Sequence, residues 1–276
     1  MKPLLKLSDT HRIKRLLRSL KLNTVCEESR CPNIGECFGS GTATFMVLGD
    51  TCTRACTFCN LKRGKSSLPD PQEPYHLLQA VKAMGLRYVV LTSPTRDDLH
   101  EGGAEHIHQC VRVLKENLPD LKVEVLVPDF KGSFQALRRV LMAEPDVLAH
   151  NLETVPRLYN LVRAGSKYGR SLELLLRAKE LAPHIPTKSA LILGFGEEWE
   201  EVLQVLKDLR EVGCDLLTVG QYYQPSKEHH PVVKYYTEEE FRRIEEIAYS
   251  LGFKRVASGA HVRSSYRALE LSLFLH

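Results

Sequence analysis

Residues 41–59 read GTATFMVLGDTCTRACTFC, an apolar run of strand length at Thr44–Leu48 followed at once by a polar loop with three cysteines. Apolar runs of similar length recur along the chain, and segments with helical periodicity follow most of them. Strands that alternate with helices are typical of a parallel sheet with helices on its faces. We therefore expect the cysteine loop to lie at the carboxyl edge of a parallel sheet.

The strand–helix alternation extends over six units. The predicted strands are Thr44–Leu48, Tyr88–Thr92, Val123–Val127, Asp146–His150, Ser189–Leu193 and Leu216–Gly220. The predicted helices are Tyr75–Met84, Ala104–Asn117, Phe134–Ala143, Ser171–Leu181, Glu198–Val212 and Glu238–Leu251. This pattern predicts an α/β fold, a partial (β/α)6 barrel of the TIM type, with its chemistry at the carboxyl ends of the strands. We expect a single domain over residues 1–276, in which an N-terminal extension (1–43) and a C-terminal extension (252–276) flank the barrel at 44–251.

Composition and charge exclude several classes of protein. A net charge of +4 over 276 residues is too weak for a nucleic-acid-binding surface. No apolar stretch approaches the roughly 18 residues that span a bilayer, so we expect no membrane partner and a cytoplasmic location. The chain has eight cysteines, and in that location they are expected to be reduced. Cys110 and Cys214 stand apart in apolar segments and are expected to pack in the core.

The other six cysteines form two groups of three. Cys52, Cys56 and Cys59 follow the first strand, whereas CEESRCPNIGEC, with Cys26, Cys31 and Cys37, precedes it. Three thiolates from one loop suit a cubane iron–sulfur cluster and leave its fourth iron open to a chelating amine and carboxylate, such as those of S-adenosylmethionine. A structural zinc site is the competing interpretation, but it needs a fourth cysteine or histidine close by, and the loop supplies none. Cys52, Cys56 and Cys59, the second cysteine group along the chain, therefore indicate an iron–sulfur cluster.

The spacing and position of Cys52, Cys56 and Cys59 resemble the signature of the radical S-adenosylmethionine (radical SAM) superfamily. The resemblance implies that these cysteines bind a four-iron, four-sulfur cluster, which reduces the cofactor to methionine and a 5′-deoxyadenosyl radical. Residues at the barrel rim are expected to hold the rest of the cofactor, although for each polar one a strand-end cap or a salt bridge is the alternative. The expected contacts are Phe58, Thr92, Ser93, Asn151, Glu153, Glu197 and Gln221.

The chain as a whole resembles the lipoyl synthase family. The blocks that carry the resemblance run from about Thr24 to Arg267 and are CEESRCPNIGEC, TSPTRDDLHEGGA, VEVLVPDFKG, HNLETVPRLY, TKSALILGFGE, LTVGQYYQPS and VRSSY. The resemblance implies that Cys26, Cys31 and Cys37 hold an auxiliary four-iron, four-sulfur cluster. A serine of VRSSY is the implied fourth ligand, and we assign it to Ser264, with Ser265 as the alternative. Pro94 and Thr95 depart from the family pattern.

The implied reaction is radical insertion of two sulfur atoms, at C6 and C8 of a protein-bound octanoyl-lysine, with the auxiliary cluster as sulfur donor. The implied carriers are octanoylated lipoyl domains of the 2-oxo acid dehydrogenases or the glycine-cleavage H protein, and a ferredoxin or flavodoxin is the implied electron donor. Two alternatives are a sulfur-inserting enzyme similar to biotin synthase, which shares only the second cysteine group, and a non-catalytic iron–sulfur electron carrier.

The segment THRIKRLLRSLKL, residues 10–22, predicts an amphipathic helix. Its apolar face consists of Ile13, Leu16, Leu17 and Leu20. Its basic face consists of Arg12, Arg15, Arg18 and Lys21. The basic face is either solvated, on a helix that packs against the barrel, or a docking surface for an acidic partner.

Overall fold

The computed structural model describes residues 7–28, 33–39, 41–266 and 268–272. Cys31, one of the predicted cluster ligands, and the side chain of Arg12 lie outside the described residues. The strands are β1 Asn23–Thr24, β2 Thr42–Met46, β3 Thr51–Cys52, β4 Lys62–Arg63, β5 Tyr88–Thr92, β6 Lys122–Leu126, β7 Val147–Ala149, β8 Thr187–Leu193, β9 Leu216–Gln221 and β10 Arg255–Gly259. The α-helices are α1 Leu7–Ser19, α2 Val25–Glu28, α3 Ile34–Gly39, α4 Glu73–Met84, α5 Ala104–Asn117, α6 Phe134–Leu141, α7 Tyr159–Val162, α8 Tyr168–Leu181, α9 Trp199–Glu211, α10 Glu238–Ser250 and α11 Ala268–Ser272.

One sheet of eight strands organises the molecule, in the order β1-β2-β5-β6-β7-β8-β9-β10. The pairs from β2 to β10 are all parallel, and the short β1 is antiparallel to β2. The strands follow one another in chain order with helices between them, as in a TIM-type barrel. Among the described residues no pairing joins β10 to β1, so the barrel is partial. The predicted fold class is confirmed.

A seventh parallel strand, β10, joins the six that the sequence predicts. Val256 lies opposite Leu217 of β9, within the segment assigned to the C-terminal extension. The sequence of β10 is RVASG, and its apolar alternation is too weak to predict a strand. The first strand also ends two residues earlier than predicted, because Leu48 has a φ of +67° and leaves the extended conformation.

Apolar side chains bury both faces of the sheet. Val89 and Leu91 of β5 belong to a large cluster that includes α4 and α5, whereas Tyr88 and Val90 on the opposite face pack with Ala268 of α11. The C-terminal helix therefore lies against the inner face of the barrel. Cys110 and Cys214 are fully buried in apolar clusters, as predicted.

The predicted amphipathic helix is α1. Leu17 is fully buried, and Ile13 packs against the same core, while Arg15 and Arg18 are exposed. The helix thus packs on the barrel and presents basic side chains to solvent. No helix in the described part of the chain combines the length and the apolar character needed to cross a membrane.

Candidate active site

A cavity of about 300 Å³ lies among the residues that follow the carboxyl ends of the strands. Parallel strands converge at this edge, so residues far apart in sequence share the cavity wall. The wall brings together most of the predicted site residues, namely Cys52, Cys56, Phe58, Cys59, Thr92, Ser93, Asn151, Glu153, Ser264 and the alternative Ser265.

Hydrogen bonds to neighbouring loops hold the cysteine loop against the barrel. The backbone N–H and the hydroxyl of Thr53 both donate to the carbonyl oxygen of Thr95, at 3.0 and 2.9 Å. The backbone N–H of Thr57 donates to Val162, at 3.0 Å, and that of Gly64 donates to Cys52, also at 3.0 Å. The loop is therefore fixed on several sides by hydrogen bonds within the protein.

Burial raises the pKa of two thiols of this loop. Desolvation raises the pKa of Cys59 to about 12 and also raises that of Cys56. A metal binds the thiolate, so a cationic cluster must displace the protons from these groups on binding. These thiols, which line one cavity, fit a ligand whose positive charge offsets their ionisation.

Four buried side-chain oxygens in the cavity wall have no hydrogen-bond partner within residues 41–266. They are Ser93 Oγ, Asn151 Oδ1, Glu153 Oε2 and Thr218 Oγ1. A buried polar atom without a partner is costly, so a cluster of such atoms indicates a polar ligand. This arrangement fits the amine and hydroxyl donors of S-adenosylmethionine beside the three thiols.

Glu153 is the most constrained of these groups. Its φ is +67°, a left-handed conformation that side chains rarely adopt, and its Oε1 accepts a hydrogen bond from Asn151 Nδ2 at 3.0 Å. Burial raises the pKa of Glu153, although Arg163 and the bond from Asn151 oppose this effect. Strained residues persist where the surrounding structure holds them, often at functional sites.

Several further residues of the wall, among them Thr218, Arg163 and His150, were not among the predicted contacts. Thr218 alternates in β9 with the buried Leu217 and Val219, a period-two pattern from which its inward direction can be read. Arg163 donates from Nη1 to the carbonyl oxygen of Asn151 at 2.8 Å, and no local sequence signal marks it. His150 is neutral, since burial lowers its pKa to about 4.

Glu197 and Gln221, which were predicted as cofactor contacts, lie outside the cavity wall. Glu197 Oε2 accepts from the backbone N–H groups of Gly194 and Phe195, both at 3.0 Å. Gln221 donates to Lys234 O and accepts from Tyr236 N, at 3.0 and 2.9 Å. Both side chains hold backbone turns, which was the alternative interpretation of polar residues at strand ends.

The C-terminal segment returns to the cavity. Residues 262–265 line it, and Tyr266 places its hydroxyl 3.4 Å from Glu36 Oε2. Asn33 Nδ2 donates to His261 O at 2.9 Å. Glu36 is the neighbour of Cys37, so the segment with Ser264 and Ser265 packs beside the element that carries this cysteine. Cys37 thus lies on an element that contacts the segment of the serine pair, and Cys31 is outside the described residues.

Outside this cavity, Glu73, His106 and Cys110 form another group of potential metal ligands, with atoms within 4.8 Å of one another. Glu73 Oε2 already accepts from Leu48 N at 3.0 Å and lies 2.6 Å from His106 Nε2. The carboxylate therefore secures the chain at the end of β2, and hydrogen bonding accounts for this group.

The fold and the cysteine loop define a radical SAM protein. The family model for the radical SAM superfamily matches residues 46–209. Solved structures share the fold at low sequence identity. A methylornithine synthase (PylB) has a TM-score of 0.58 and 15% identity, over 89% of this chain and 81% of that one. HydG, a maturase of the [FeFe]-hydrogenase, has a TM-score of 0.61 and 11% identity, over 97% of this chain and 65% of that one.

More similar relatives identify the family within this superfamily. The lipoyl synthase of Aquifex aeolicus (strain VF5) is 61% identical over 270 residues, which cover 98% of each chain. That of Thioalkalivibrio sulfidiphilus (strain HL-EbGR7) is 55% identical over 261 residues, covering 94% of this chain and 82% of the relative. The chain belongs to the lipoyl synthase family. It is a radical SAM enzyme, and its cofactors are S-adenosylmethionine and four-iron, four-sulfur clusters.

Proposed function

We propose that this enzyme inserts two sulfur atoms, at C6 and C8, into an octanoyl-lysine carried by another protein. Family membership supports the reaction, and one structural observation supports its location. Ser264 and Ser265 line the same cavity as Cys52, Cys56 and Cys59. A reaction that generates a carbon radical and then adds sulfur to it needs both functions at one cavity, because a free radical would react with solvent or protein groups first.

The two cysteine groups have different roles in this proposal. Cys52, Cys56 and Cys59 would hold the cluster that binds S-adenosylmethionine. Cys26, Cys31 and Cys37 would hold the auxiliary cluster, with Ser264 as fourth ligand and Ser265 as the alternative. When bound, the two clusters and S-adenosylmethionine supply the electron, the hydrogen-abstracting radical and the sulfur atoms.

The chain itself binds, orients and shields the reactants. Glu153 Oε2, Asn151 Oδ1 and Ser93 Oγ, which have no hydrogen-bond partner within residues 41–266, would accept from the donors of S-adenosylmethionine. Thr92 and Phe58 line the wall beside them. The apolar residues of the wall, which include Leu126, Val127, Ala190, Leu191 and Ile192, would receive the octanoyl chain and exclude water. Glu197 and Gln221 would support the wall through the turns that they hold.

The protein partners follow from the same family. We propose octanoylated lipoyl domains of the 2-oxo acid dehydrogenases or the glycine-cleavage H protein as carriers, and a ferredoxin or flavodoxin as electron donor. The exposed Arg15 and Arg18 of α1 support an acidic carrier. A cytoplasmic location is also proposed, because six clustered cysteines suit a reducing compartment.

Mass spectrometry of an octanoyl-lysine peptide after anaerobic turnover tests the reaction. The reconstituted protein, with reductant and S-adenosylmethionine, is expected to yield a peptide with two added sulfur atoms. A product with one sulfur atom or none would refute the proposal. Formation of 5′-deoxyadenosine in the same sample distinguishes an enzyme from an iron–sulfur electron carrier, which would form none.

A further inference from the structure

Arg54 lies within the cysteine loop, between Cys52 and Cys56, yet its side chain points into the protein and is only 5% exposed. Its guanidinium donates to both carboxylate oxygens of Asp97, from Nε at 2.8 Å and from Nη2 at 3.0 Å. Nη2 also donates to Asp129 Oδ1 at 2.6 Å, and Nη1 donates to Ser166 Oγ at 3.0 Å. All the guanidinium nitrogens are therefore engaged.

These partners belong to three different loops of the barrel rim. Asp97 follows β5, Asp129 follows β6, and Ser166 follows α7. Asp129 is further fixed by Arg170, whose Nη1 donates to Asp129 Oδ2 at 3.0 Å. A single side chain thus connects the cysteine loop to three other loops of the rim that surrounds the cavity.

The loop after β5 makes the reverse connection through Arg96. Arg96 is 1% exposed and donates from Nη1 to the carbonyl oxygen of Leu48, and from Nη2 to that of Ser67, both at 2.9 Å. Leu48 precedes the cysteine loop and Ser67 follows it. The cysteine loop and the loop after β5 are therefore held together by two buried arginines, one from each loop.

The charge balance around Arg54 indicates a geometric role. Two carboxylates, those of Asp97 and Asp129, contact this one guanidinium, so its positive charge is already neutralised and has little left to stabilise the thiolates. A planar guanidinium in a bidentate pair instead fixes direction and distance. The backbone N–H of Arg54 also donates to Cys52 Sγ at 3.4 Å, which ties the position of residue 54 directly to a predicted ligand.

We infer that Arg54, held by Asp97 and Asp129, is a positioning residue that sets the geometry of the three thiolates and thereby the access of S-adenosylmethionine to the open iron. The inference rests on the proposed role of Cys52, Cys56 and Cys59. Neighbours of metal ligands commonly change metal affinity or activity by about 10- to 100-fold when they are replaced. Arg54 differs from a typical neighbour in that it holds the backbone that carries the ligands.

The test uses anaerobically reconstituted full-length protein with Arg54→Gln, Arg54→Lys and Asp97→Asn. Two measurements are made, the dissociation constant of S-adenosylmethionine and the change that it causes in the electron paramagnetic resonance spectrum of the reduced protein. Only a cluster with an open iron binds the cofactor, so this change reports on the cysteine loop and not on the auxiliary cluster. We expect Arg54→Gln and Asp97→Asn to weaken binding by about 10-fold or more and to alter the spectral change. Arg54→Lys, which keeps the charge but not the bidentate geometry, is expected to weaken binding to a smaller extent.

Lys188→Met is the matched control. Lys188, the second residue of β8, forms a buried ion pair with Glu124 of β6, at 2.9 Å, and neither side chain lines the cavity. This variant is expected to lose stability and to keep the wild-type affinity and spectrum. If it matches Arg54→Gln in both measurements, the effect is a general loss of stability and the inference is wrong.

The remaining outcomes are decisive as well. Wild-type affinity and spectrum in folded Arg54→Gln would overturn the inference. If Arg54→Gln does not fold, the same two measurements on Asp97→Asn and Arg54→Lys decide the inference, and wild-type values in both would overturn it. A wild-type protein whose spectrum does not respond to S-adenosylmethionine would instead refute the proposed assignment of the cluster.

Discussion

At the scale of single residues, several buried polar side chains of the site lack a hydrogen-bond partner among the described residues. Glu153 keeps a left-handed backbone and a buried Oε2 without a hydrogen-bond partner among the described residues. Asn151 and Ser93 each have an oxygen in the same wall that also lacks a partner in the part of the chain that the structure describes. Glu197, by contrast, is a carboxylate at the end of a neighbouring strand whose Oε2 is satisfied by two backbone N–H groups. The difference between Glu153 and Glu197 is one of partners, not of residue type.

Replacing Glu153 with Gln is expected to weaken binding of S-adenosylmethionine by about 10- to 100-fold, since a hydrogen bond to a charged group is worth about 1.5–3 kcal/mol. The substitution preserves side-chain shape and retains an oxygen for the bond from Asn151. Equilibrium binding to the reconstituted protein measures the effect. The exposed Glu200→Gln on α9 is the control and should bind like wild type. Unchanged affinity in Glu153→Gln would show that this carboxylate does not contact the cofactor.

At the scale of elements, two segments outside the predicted strands and helices complete the cavity. The cysteine loop is held by backbone bonds and by Arg54, and the segment after β10 lies across the end of β9. At Gly220 the two backbones are so close that an added Cβ would lie 2.1 Å from Val262 O. Glycine is therefore required there to let residues 262–265 reach the cavity wall.

Gly220→Ala is expected to displace residues 262–265, because the atom that the new methyl group meets belongs to the backbone and cannot rotate away. Hydrogen–deuterium exchange should rise in peptides that cover residues 260–266. Gly259→Ala is a matched control in the paired position of β10, since its added Cβ would meet only a methyl group of Val262 at 3.5 Å. Equal exchange in Gly220→Ala and wild type would contradict the expected displacement.

Asp215 joins elements at the opposite end of the barrel. Its carboxylate accepts from Lys254 Nζ at 2.9 Å, from Lys179 Nζ at 3.0 Å and from the backbone N–H of Thr187 at 3.0 Å. Burial opposes ionisation of Asp215, but these bonds outweigh it and lower its pKa. A lowered pKa in the folded state means that the carboxylate stabilises the fold above the unfolded-state pKa of about 4. This stabilisation begins to fall when the pH drops below about 4, and it is lost once the pH has passed the lower pKa of the folded state.

Asp215→Asn is expected to lower the free energy of unfolding at neutral pH by about 1–3 kcal/mol. The difference from wild type should shrink as the pH falls below about 4, because the wild-type carboxylate is then protonated as well. Urea denaturation at several pH values measures both effects. Asp120→Asn, at an exposed turn, should keep the wild-type dependence on pH. A difference between Asp215→Asn and wild type that does not change with pH would contradict the assigned ion pairs.

At the scale of the whole molecule, the eight-stranded sheet carries the cavity at its carboxyl edge, and the first helix carries basic residues. Arg15 and Arg18 are exposed on α1, while Leu17 anchors that helix in the core. The helix is connected to β1, which pairs with the outer edge of β2. A carrier that docks on α1 would therefore contact a part of the molecule fixed to the barrel that holds the cavity.

The double variant Arg15→Glu and Arg18→Glu is expected to raise the KM for an octanoylated carrier protein at low salt, because charge reversal weakens attraction to an acidic surface. The KM for a short octanoyl-lysine peptide should stay the same. Arg112→Glu with Arg138→Glu, on the outer faces of α5 and α6, changes the net charge equally and serves as the control. Equal KM values for the carrier in the two double variants would argue against docking at α1.

Local patterns in the sequence determined most of the fold and the main chemical groups. Apolar runs and helical periodicity predicted six of the seven parallel strands of the barrel and the helices between them, because both patterns depend on neighbours a few residues apart. The position of Cys52, Cys56 and Cys59 after the first strand predicted that they lie at the carboxyl edge of the sheet, where the cavity is found. For the same reason β10 escaped prediction, since RVASG is strand only through its pairing with β9.

Only the tertiary structure decided which polar residues face the cavity and which hold the backbone. Glu153 and Glu197 both follow strands, and only the packed fold shows that one lines the cavity and the other supports a turn. Arg54 bonds to carboxylates 43 and 75 residues away in the sequence. Ser264 lines the same cavity as Cys52, and the lack of a side chain at Gly220 leaves room for the backbone at Val262 that leads to it. Such contacts depend on how distant segments pack, and a periodic pattern in the sequence carries no information about that packing.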